Sequence, residues 1–335
     1  MITTDIGIIG AGPTGMFAVF EAGLLKMHCH LIDSLPQAGG QLSEIYPQKP
    51  IYDIPGYPTV NAQELVDKLS EQIAPFHPTY SLGERVETLE KLDDGTWLIG
   101  TNEGTVINCK VVVIAGGLGC FEPRKPEVDR LAEFEGKGVM YAVRNPEAFR
   151  GRNIVIAGGG DSALDWTIFL ANIANKVTLV HRGDTFRGVP DAAEKVAELA
   201  KTGAIDLMLK SRVVALDGTG HLETVTLVGH DGKEQQLQAD SFIPLFGLSP
   251  KLGPIADWGL DIEMSAITVN TRDYSTNVEG IYAIGDINTY PGKLKLILCG
   301  FHEAALMAQS AFKHVYPDQR LTFKYTTVYG ITELA

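Results

Sequence analysis

Long apolar runs, cysteine pairs and basic stripes are what this sequence lacks, and each absence removes a class of function. No stretch approaches the ~18–20 uninterrupted apolar residues that a membrane helix needs, so no membrane partner is expected. The chain opens without a basic region and apolar core of the secretory kind and runs almost at once into a strand. The expectation is therefore a cytoplasmic protein. Cys29, Cys109, Cys120 and Cys299 are scattered, with no C-x-x-C and no zinc-ligand spacing. Neither a metal site nor a disulfide framework is expected, and four small buried residues is the simpler reading. Lysine and arginine number 28 against 41 acidic residues, a formal charge of −13. With no basic stripe to neutralise phosphates, nucleic acid is not an expected partner. His28, His30, His77, His221, His230 and His302 have no paired spacing and read as surface or capping residues.

Glycine, by contrast, is plentiful, at 36 of 335 residues, and two of its clusters carry chemistry. The apolar strand Ile6-Gly7-Ile8-Ile9 runs into Gly10-Ala11-Gly12-Pro13-Thr14-Gly15, and a helical pattern follows from Met16 to about Leu25. This is G-x-G-x-x-G in the strand–turn–helix context that gives it meaning. The first glycine permits the tight turn, the second lets a pyrophosphate approach the backbone, and the third lets helix pack on sheet. The next strand, 28–32, ends in Asp33, 23 residues after Gly10, where a carboxylate accepts hydrogen bonds from an adenosine ribose. The competing reading is a glycine-rich turn followed by a surface acid.

The second cluster lies in mid-chain. Strand 153–157 leads into Gly158-Gly159-Gly160-Asp161-Ser162-Ala163, and a helix follows to about Ala171. Strand 176–180 then delivers His181, again 23 residues after the first glycine, followed by Arg182 and, in HRGDTFR, Arg187. A carboxylate suits a ribose 2′-hydroxyl and repels a 2′-phosphate, whereas arginine offers the phosphate a charge-assisted fork. The first turn thus reads as holding an adenosine diphosphate without a 2′-phosphate. The second reads as holding NADPH through Gly158, Gly160, Asp161, Ser162, His181, Arg182 and Arg187. For the arginines, the competing reading is a solvated basic loop.

A third element lies late in the chain, where Gly280-Ile281-Tyr282-Ala283-Ile284-Gly285-Asp286 is an apolar strand delivering an acid at its carboxyl end. Two nucleotide turns with this late Gly-Asp form a pattern that resembles the flavoprotein disulfide reductases and their relatives. In them the late strand returns to the first domain and the acid binds the ribityl chain of FAD. The expected fold is α/β, with two Rossmann-like three-layer dinucleotide-binding domains. An FAD domain of residues 1–120 and 247–335 would receive an inserted NADPH domain of residues 121–246.

Thioredoxin reductase shares this size and domain order but carries a C-x-x-C just before the second glycine turn. The corresponding window, GVMYAVRNPEAF at 138–149, has no cysteine. Dithiol exchange needs a thiolate beside a resolving thiol, so that mechanism is excluded by composition. The segments SLPQAGGQLSEIYPQKPIYDIPGYP (34–58), GGGDSALDW (158–166), HRGDTFR (181–187), LGPIADWGLDIE (252–263) and GDINTYPGKLKLILCGFHEA (285–304) resemble the ferredoxin–NADP+ reductases of the thioredoxin-reductase-like type. That resemblance implies a homodimer in which FAD carries electrons between NADPH and ferredoxin or a similar small electron carrier. It implies Tyr46 stacked on one face of the isoalloxazine, with Gln41 and Asp53 near the flavin or its ribityl chain. Thr14, Val86, Phe121 and Asp286 would also contact FAD. Tyr325, where some members have His, would lie over the other face, with Thr326 and Thr327 following. A half-buried core ring is the alternative for either tyrosine. No side chain is cast as a catalytic nucleophile or base, because the flavin performs the chemistry.

Two other functional classes remain at this level. One is an NADPH-dependent flavin oxidoreductase whose acceptor is a flavodoxin, a quinone or oxygen. The other is a flavin- or nucleotide-binding sensor without turnover, disfavoured because a sensor has no need of a second, exchanging dinucleotide.

Overall fold

The computed structural model describes residues 1–119, 122–143, 145–249, 252–321, 330, 331 and 334. The chain divides into two compact units, Met1–Phe121 with Pro250–Ala335, and Glu122–Ser249.

In the first unit, strand Ile2–Ile9 lies between Cys29–Asp33 and Val106–Ile114, both parallel to it, and Thr79–Leu82 extends the sheet beyond Cys29–Asp33. The carboxyl halves of Ile2–Ile9 and Val106–Ile114 read as apolar runs because both faces are covered: Ile6, Ile8 and Val111 through Ile114 have no exposed surface. Helix Pro13–Leu24 makes the crossover from the first strand to the second, and the long last helix, Ile297–Val315, packs beside it, with Phe17 and Phe301 4.7 Å apart.

One edge of the nine-residue strand Val106–Ile114 serves two partners. Its first half pairs antiparallel with Trp97–Thr101, part of a hairpin with Val86–Lys91, and its second half pairs parallel with Ile281–Ala283. A segment some 170 residues downstream is thereby inserted beside Val112–Ile114 (281 against 112). The expected strand over 280–286 is shorter than its apolar run. It stops at Ala283, and Gly285–Ile287 forms a single 3-10 turn.

The second unit carries a four-stranded parallel sheet in the order Asp206–Met208, Lys176–Val180, Asn153–Gly158, Ser241–Leu245. Helices Asp161–Leu170 and Pro190–Lys201 accompany it. A three-stranded antiparallel sheet, Ser211–Asp217, Thr224–Gly229 and Glu234–Gln238, has its own apolar face through Val213, Leu216, Val225 and Leu227. The ends of the unit meet, with Glu122–Pro123 pairing antiparallel to Leu248–Ser249.

Candidate nucleotide-binding sites

In the first unit the glycine turn joins the carboxyl end of Ile2–Ile9 to the helix beginning at Pro13. Gly10 sits at φ +111°, and a Cβ there would lie 2.4 Å from the Ala115 carbonyl oxygen; one at Gly15 would lie 2.1 Å from Gly10 O. Backbone geometry and packing therefore require glycine at both positions. Gly12 differs. Its φ of −73° and ψ of 178° suit any residue, and the nearest atom to an added Cβ is Gly40 Cα at 3.9 Å. Nothing in the chain itself demands glycine there, so the open space in front of it fits a ligand's close approach.

That space is a cleft of about 470 Å3. Gly10, Gly12, Thr14, Asp33, Gln41, Tyr46, Val86 and Asp286 all line it, as do Arg85, Ile255, Trp258, Lys295 and Ile297. Gly15 lies beneath the turn, and Asp53 is exposed and does not line the cleft. Phe121, Tyr325, Thr326 and Thr327 lie outside the described residues.

Asp33 accepts a hydrogen bond from Ala11 N–H through Oδ2 (2.7 Å) and from Leu35 N–H through Oδ1 (2.9 Å). Burial pushes its carboxyl up, and these two bonds pull it back. Tyr46 donates to Gln41 Oε1 at 3.3 Å, and burial, then the nearby Asp286, raises its phenol. Burial also raises Asp286, against the pull of Lys293 and Lys295.

Sequence reasoning missed Glu303. It has no exposed surface, yet its Oε2 accepts from Gly285 N–H (2.6 Å) and Asn288 Nδ2 (2.8 Å). Its Oε1 accepts from Tyr290 Oη (3.0 Å) and Lys293 Nζ (2.5 Å). Thr14 lies on the other side of this turn, since a Cβ on Gly285 or Gly300 would meet its Oγ1 at 3.1 or 2.3 Å. Glu303 and Thr14 thus fix the Gly285-Asp286 turn at the cleft. A lone acid inside the apolar helical run GFHEAALMA was the available signal.

In the second unit the geometry repeats. A Cβ on Gly158 would lie 2.6 Å from Leu245 O, whereas one on Gly160, at φ −101°, meets nothing within 4 Å. The helix Asp161–Leu170 begins immediately after, with Ser162 half-buried in its first turn. Asp161 is engaged within the chain, its Oδ1 accepting from Val189 N–H at 2.7 Å. His181, expected at the ligand, has its ring buried beside the turn. Its ring would lie 2.2 Å from a Cβ on Gly159, it tilts against Phe186 at 5.1 Å, and Nε2 is 3.0 Å from Thr185 O. Arg182 is exposed and lines a separate cleft; Arg187 does not line that cleft, and its backbone N–H donates to Gly159 O at 2.7 Å.

Cys29 and Cys109 are buried, and burial raises both thiols, that of Cys109 to about 12. No group of side chains suited to a metal ion and no helix long and apolar enough to cross a membrane occurs among the described residues.

The pyridine nucleotide-disulphide oxidoreductase family matches residues 4–308. The chain is 61% identical over 335 residues to ferredoxin–NADP reductase 1 of Christiangramia forsetii, covering 99% of this chain and 95% of that protein. It is 59% identical to a ferredoxin–NADP reductase of Flavobacterium johnsoniae, with the same coverage. Among solved structures it is similar to Lactococcus lactis thioredoxin reductase, with a TM-score of 0.80 and 26% identity over 94% of this chain and 99% of that one. T. acidophilum thioredoxin reductase, at 23% identity and a TM-score of 0.81 over 93% and 99% of the two chains, shares the fold.

Proposed function

The chain belongs to the pyridine nucleotide-disulphide oxidoreductase family, and from that premise we propose that it transfers electrons between NADPH and a ferredoxin through FAD. The first unit is the FAD domain and the second the NADPH domain. The observation that carries this reading is the repeated middle glycine: Gly12 and Gly160 are glycines that the protein's own packing does not require. Each stands directly before a helix N-terminus, where unpaired amides and the helix dipole favour a pyrophosphate.

Bound in the first cleft, FAD supplies the exchange between hydride and single-electron chemistry that an iron–sulfur carrier requires. The chain's own residues bind and orient. The free amides of the first helical turn, to which Pro13 adds none, would hold the pyrophosphate, and Asp33 would accept from the ribose hydroxyls. Asp286, fixed by Glu303 through Gly285, would accept from the ribityl chain. The Tyr46 ring, which lines the cleft, would cover the isoalloxazine and exclude water. Helix Ile297–Val315 directs its N-terminus to the same cleft, since Ile297 lines it, and so favours negative charge there. Arg182 and Arg187 would receive the 2′-phosphate of NADPH. The carrier's identity as ferredoxin rests on the named relatives at 61% and 59% identity. A homodimer in the cytoplasm belongs to the same reading.

Anaerobic reduction by NADPH, followed by reoxidation with ferredoxin, flavodoxin, a quinone, a protein disulfide or oxygen in turn, tests the assignment. Reoxidation should be fastest with ferredoxin and absent with the disulfide. Preferential turnover with any other acceptor would replace ferredoxin in this reading. Light scattering on the eluted protein checks the dimer.

A further inference from the structure

Two carboxylates and one buried ammonium meet where strand Ile281–Ala283 gives way to the last helix, and the ammonium goes to the carboxylate that does not line the cleft. Lys293 Nζ lies 2.5 Å from Glu303 Oε1, with 6% of its side chain exposed, and stands 5.3 Å from the centre of the Tyr290 ring. Glu303 is fully engaged. Its two oxygens accept from the Gly285 amide, Asn288 Nδ2, Tyr290 Oη and Lys293 Nζ, which fills the roughly four lone-pair sites of a carboxylate. Asp286 is the reverse. It is half-buried and lines the cleft, yet its side chain accepts no hydrogen bond and joins no ion pair among the described residues.

The free acid and the buried ammonium are neighbours. Gly285 N–H and Lys293 Nζ grip opposite oxygens of Glu303, so the ammonium is held across the width of one carboxylate from the residue that precedes Asp286. Its charge reaches the Asp286 carboxyl, pulling against the effect of burial. A buried ammonium on a flexible four-carbon stem takes the best anion within reach, because an unpaired charge without water is costly. Resting on the reading of this cleft as the FAD site, we propose that Glu303 is a positioning residue that acts by withholding Lys293 from Asp286. It leaves the Asp286 carboxylate free to accept from the ribityl hydroxyls. Without Glu303, Lys293 turns to Asp286, and the ligand must break an ion pair instead of filling an empty acceptor. Lys295 also lines the cleft but is exposed, and a solvated ammonium holds a carboxylate only weakly. Withholding the lysine is separable from fixing the turn. A glutamine at 303 can still accept from Gly285 and Asn288, but has no charge with which to keep Lys293.

The test measures FAD binding to the full-length apoprotein by quenching of flavin fluorescence, with thermal melting as the check on folding. It uses wild type, Asp286→Asn, Glu303→Gln, those two together, and Glu303→Gln combined with Lys293→Met. Asp286→Asn and Glu303→Gln should each weaken FAD by about tenfold or more, as expected for a lost charge-assisted bond. Adding Lys293→Met to Glu303→Gln should return the affinity to within about threefold of wild type. In the Asp286→Asn background Glu303→Gln should weaken FAD by less than about twofold further, because losses that run through one group do not add. A residue that merely braced the turn would give additive losses. The inference is overturned if the two losses add, if Lys293→Met restores nothing, or if Glu303→Gln binds FAD as wild type does. Should Glu303→Gln alone not fold, its combination with Lys293→Met, which leaves no charge on either partner, decides the matter. Affinity near wild type supports the inference, and a loss as large as that of Asp286→Asn overturns it. An Asp286→Asn protein with unchanged FAD affinity overturns the reading of Asp286 as the ribityl acceptor, and this inference with it.

Discussion

Three glycines within one turn serve two different masters, and a methyl group separates them. Gly15→Ala drives a Cβ to 2.1 Å from Gly10 O. Helix propensity would reward that alanine by about 0.5–1 kcal/mol, but overpacking in a close contact costs about 1–3 kcal/mol or more. The variant should be less stable by urea unfolding. Gly12→Ala meets nothing closer than 3.9 Å. It should match wild type in melting temperature as apoprotein, yet purify with less FAD, read from the ratio of flavin to protein absorbance. Equal flavin content in Gly12→Ala and wild type would remove the pyrophosphate from this turn. Asp286 shows the opposite balance. Its carboxyl is raised by burial above the ordinary value of 3.8, so the folded state holds its proton more tightly than the unfolded chain. The stability linked to that proton is fully present below pH 3.8 and is lost as pH rises through the raised value. At neutral pH the apoprotein therefore carries an unfavourable ionised carboxylate. Asp286→Asn should raise the melting temperature of apoprotein at pH 7 while lowering its affinity for FAD. An apoprotein destabilised by this change would show that Asp286 is structural.

At the scale of elements, helix Ile297–Val315 carries a fully buried carboxylate. Glu303 has no exposed surface, and Lys293, its partner, has a side chain 6% exposed. Removing one member of such a pair strands the other charge without water and costs about 3–5 kcal/mol, whereas replacing both with apolar groups can be nearly neutral. Glu303→Leu should therefore destabilise the protein strongly in denaturant unfolding, and adding Lys293→Met should recover much of the loss. Equal losses in the single and double variants would mean that the hydrogen bonds to Gly285 and Asn288, not the charge pair, matter most. The sequence could not disclose this pair. Lys293 and Glu303 are ten residues apart across a turn and the start of a helix, so no helical or strand periodicity links them. The parallel strands were legible for the reverse reason. Runs such as Val111-Val112-Val113-Ile114 are buried on both faces, and nothing polar interrupts the signal. Helices Pro13–Leu24 and Asp161–Leu170 were announced by their glycine turns. The hairpin Val86–Lys91 with Trp97–Thr101 and the antiparallel sheet 211–238 were not. Their strands run for only five to seven residues and bury at most three of them, none in Glu234–Gln238, too short and too polar to stand out. The site divides along the same line. Gly12 and Asp33 fall in the cleft because turn and strand geometry place them there, whereas Tyr46 and Asp286, which also line it, were expected from the resemblance. That the His181 ring is buried beside Gly159 depends on which side of the connection it leaves, and spacing does not encode that.

At the scale of the whole molecule, the chain leaves the first unit after Phe121 and returns at Pro250, so one unit is interrupted and the other is continuous. Continuity alone does not make an independent domain; a core and closed ends do. The second unit has both. Val155, Ala157, Val180, Leu222, Val225 and Phe242 form a buried cluster contributed entirely from within it, and its two ends are hydrogen-bonded to each other at Glu122–Pro123 and Leu248–Ser249. The 128 residues from 122 to 249 fall within the common size range for a domain, about 100–150 residues. Expressed alone, this segment should unfold in one cooperative transition and bind NADPH in preference to NADH, because its glycine turn, Arg182 and Arg187 lie wholly inside it. It should contain no flavin. The complementary protein, residues 1–121 joined to 250–335 by a short glycine-serine bridge, should bind FAD but show no reduction by NADPH. The bridge can be short because the paired ends, two residues deep on either side, already lie within hydrogen-bonding distance of each other. If the isolated segment folds yet fails to bind NADPH, coenzyme recognition draws on residues outside 122–249, and the assignment of the two nucleotides to two separate units has to be revised.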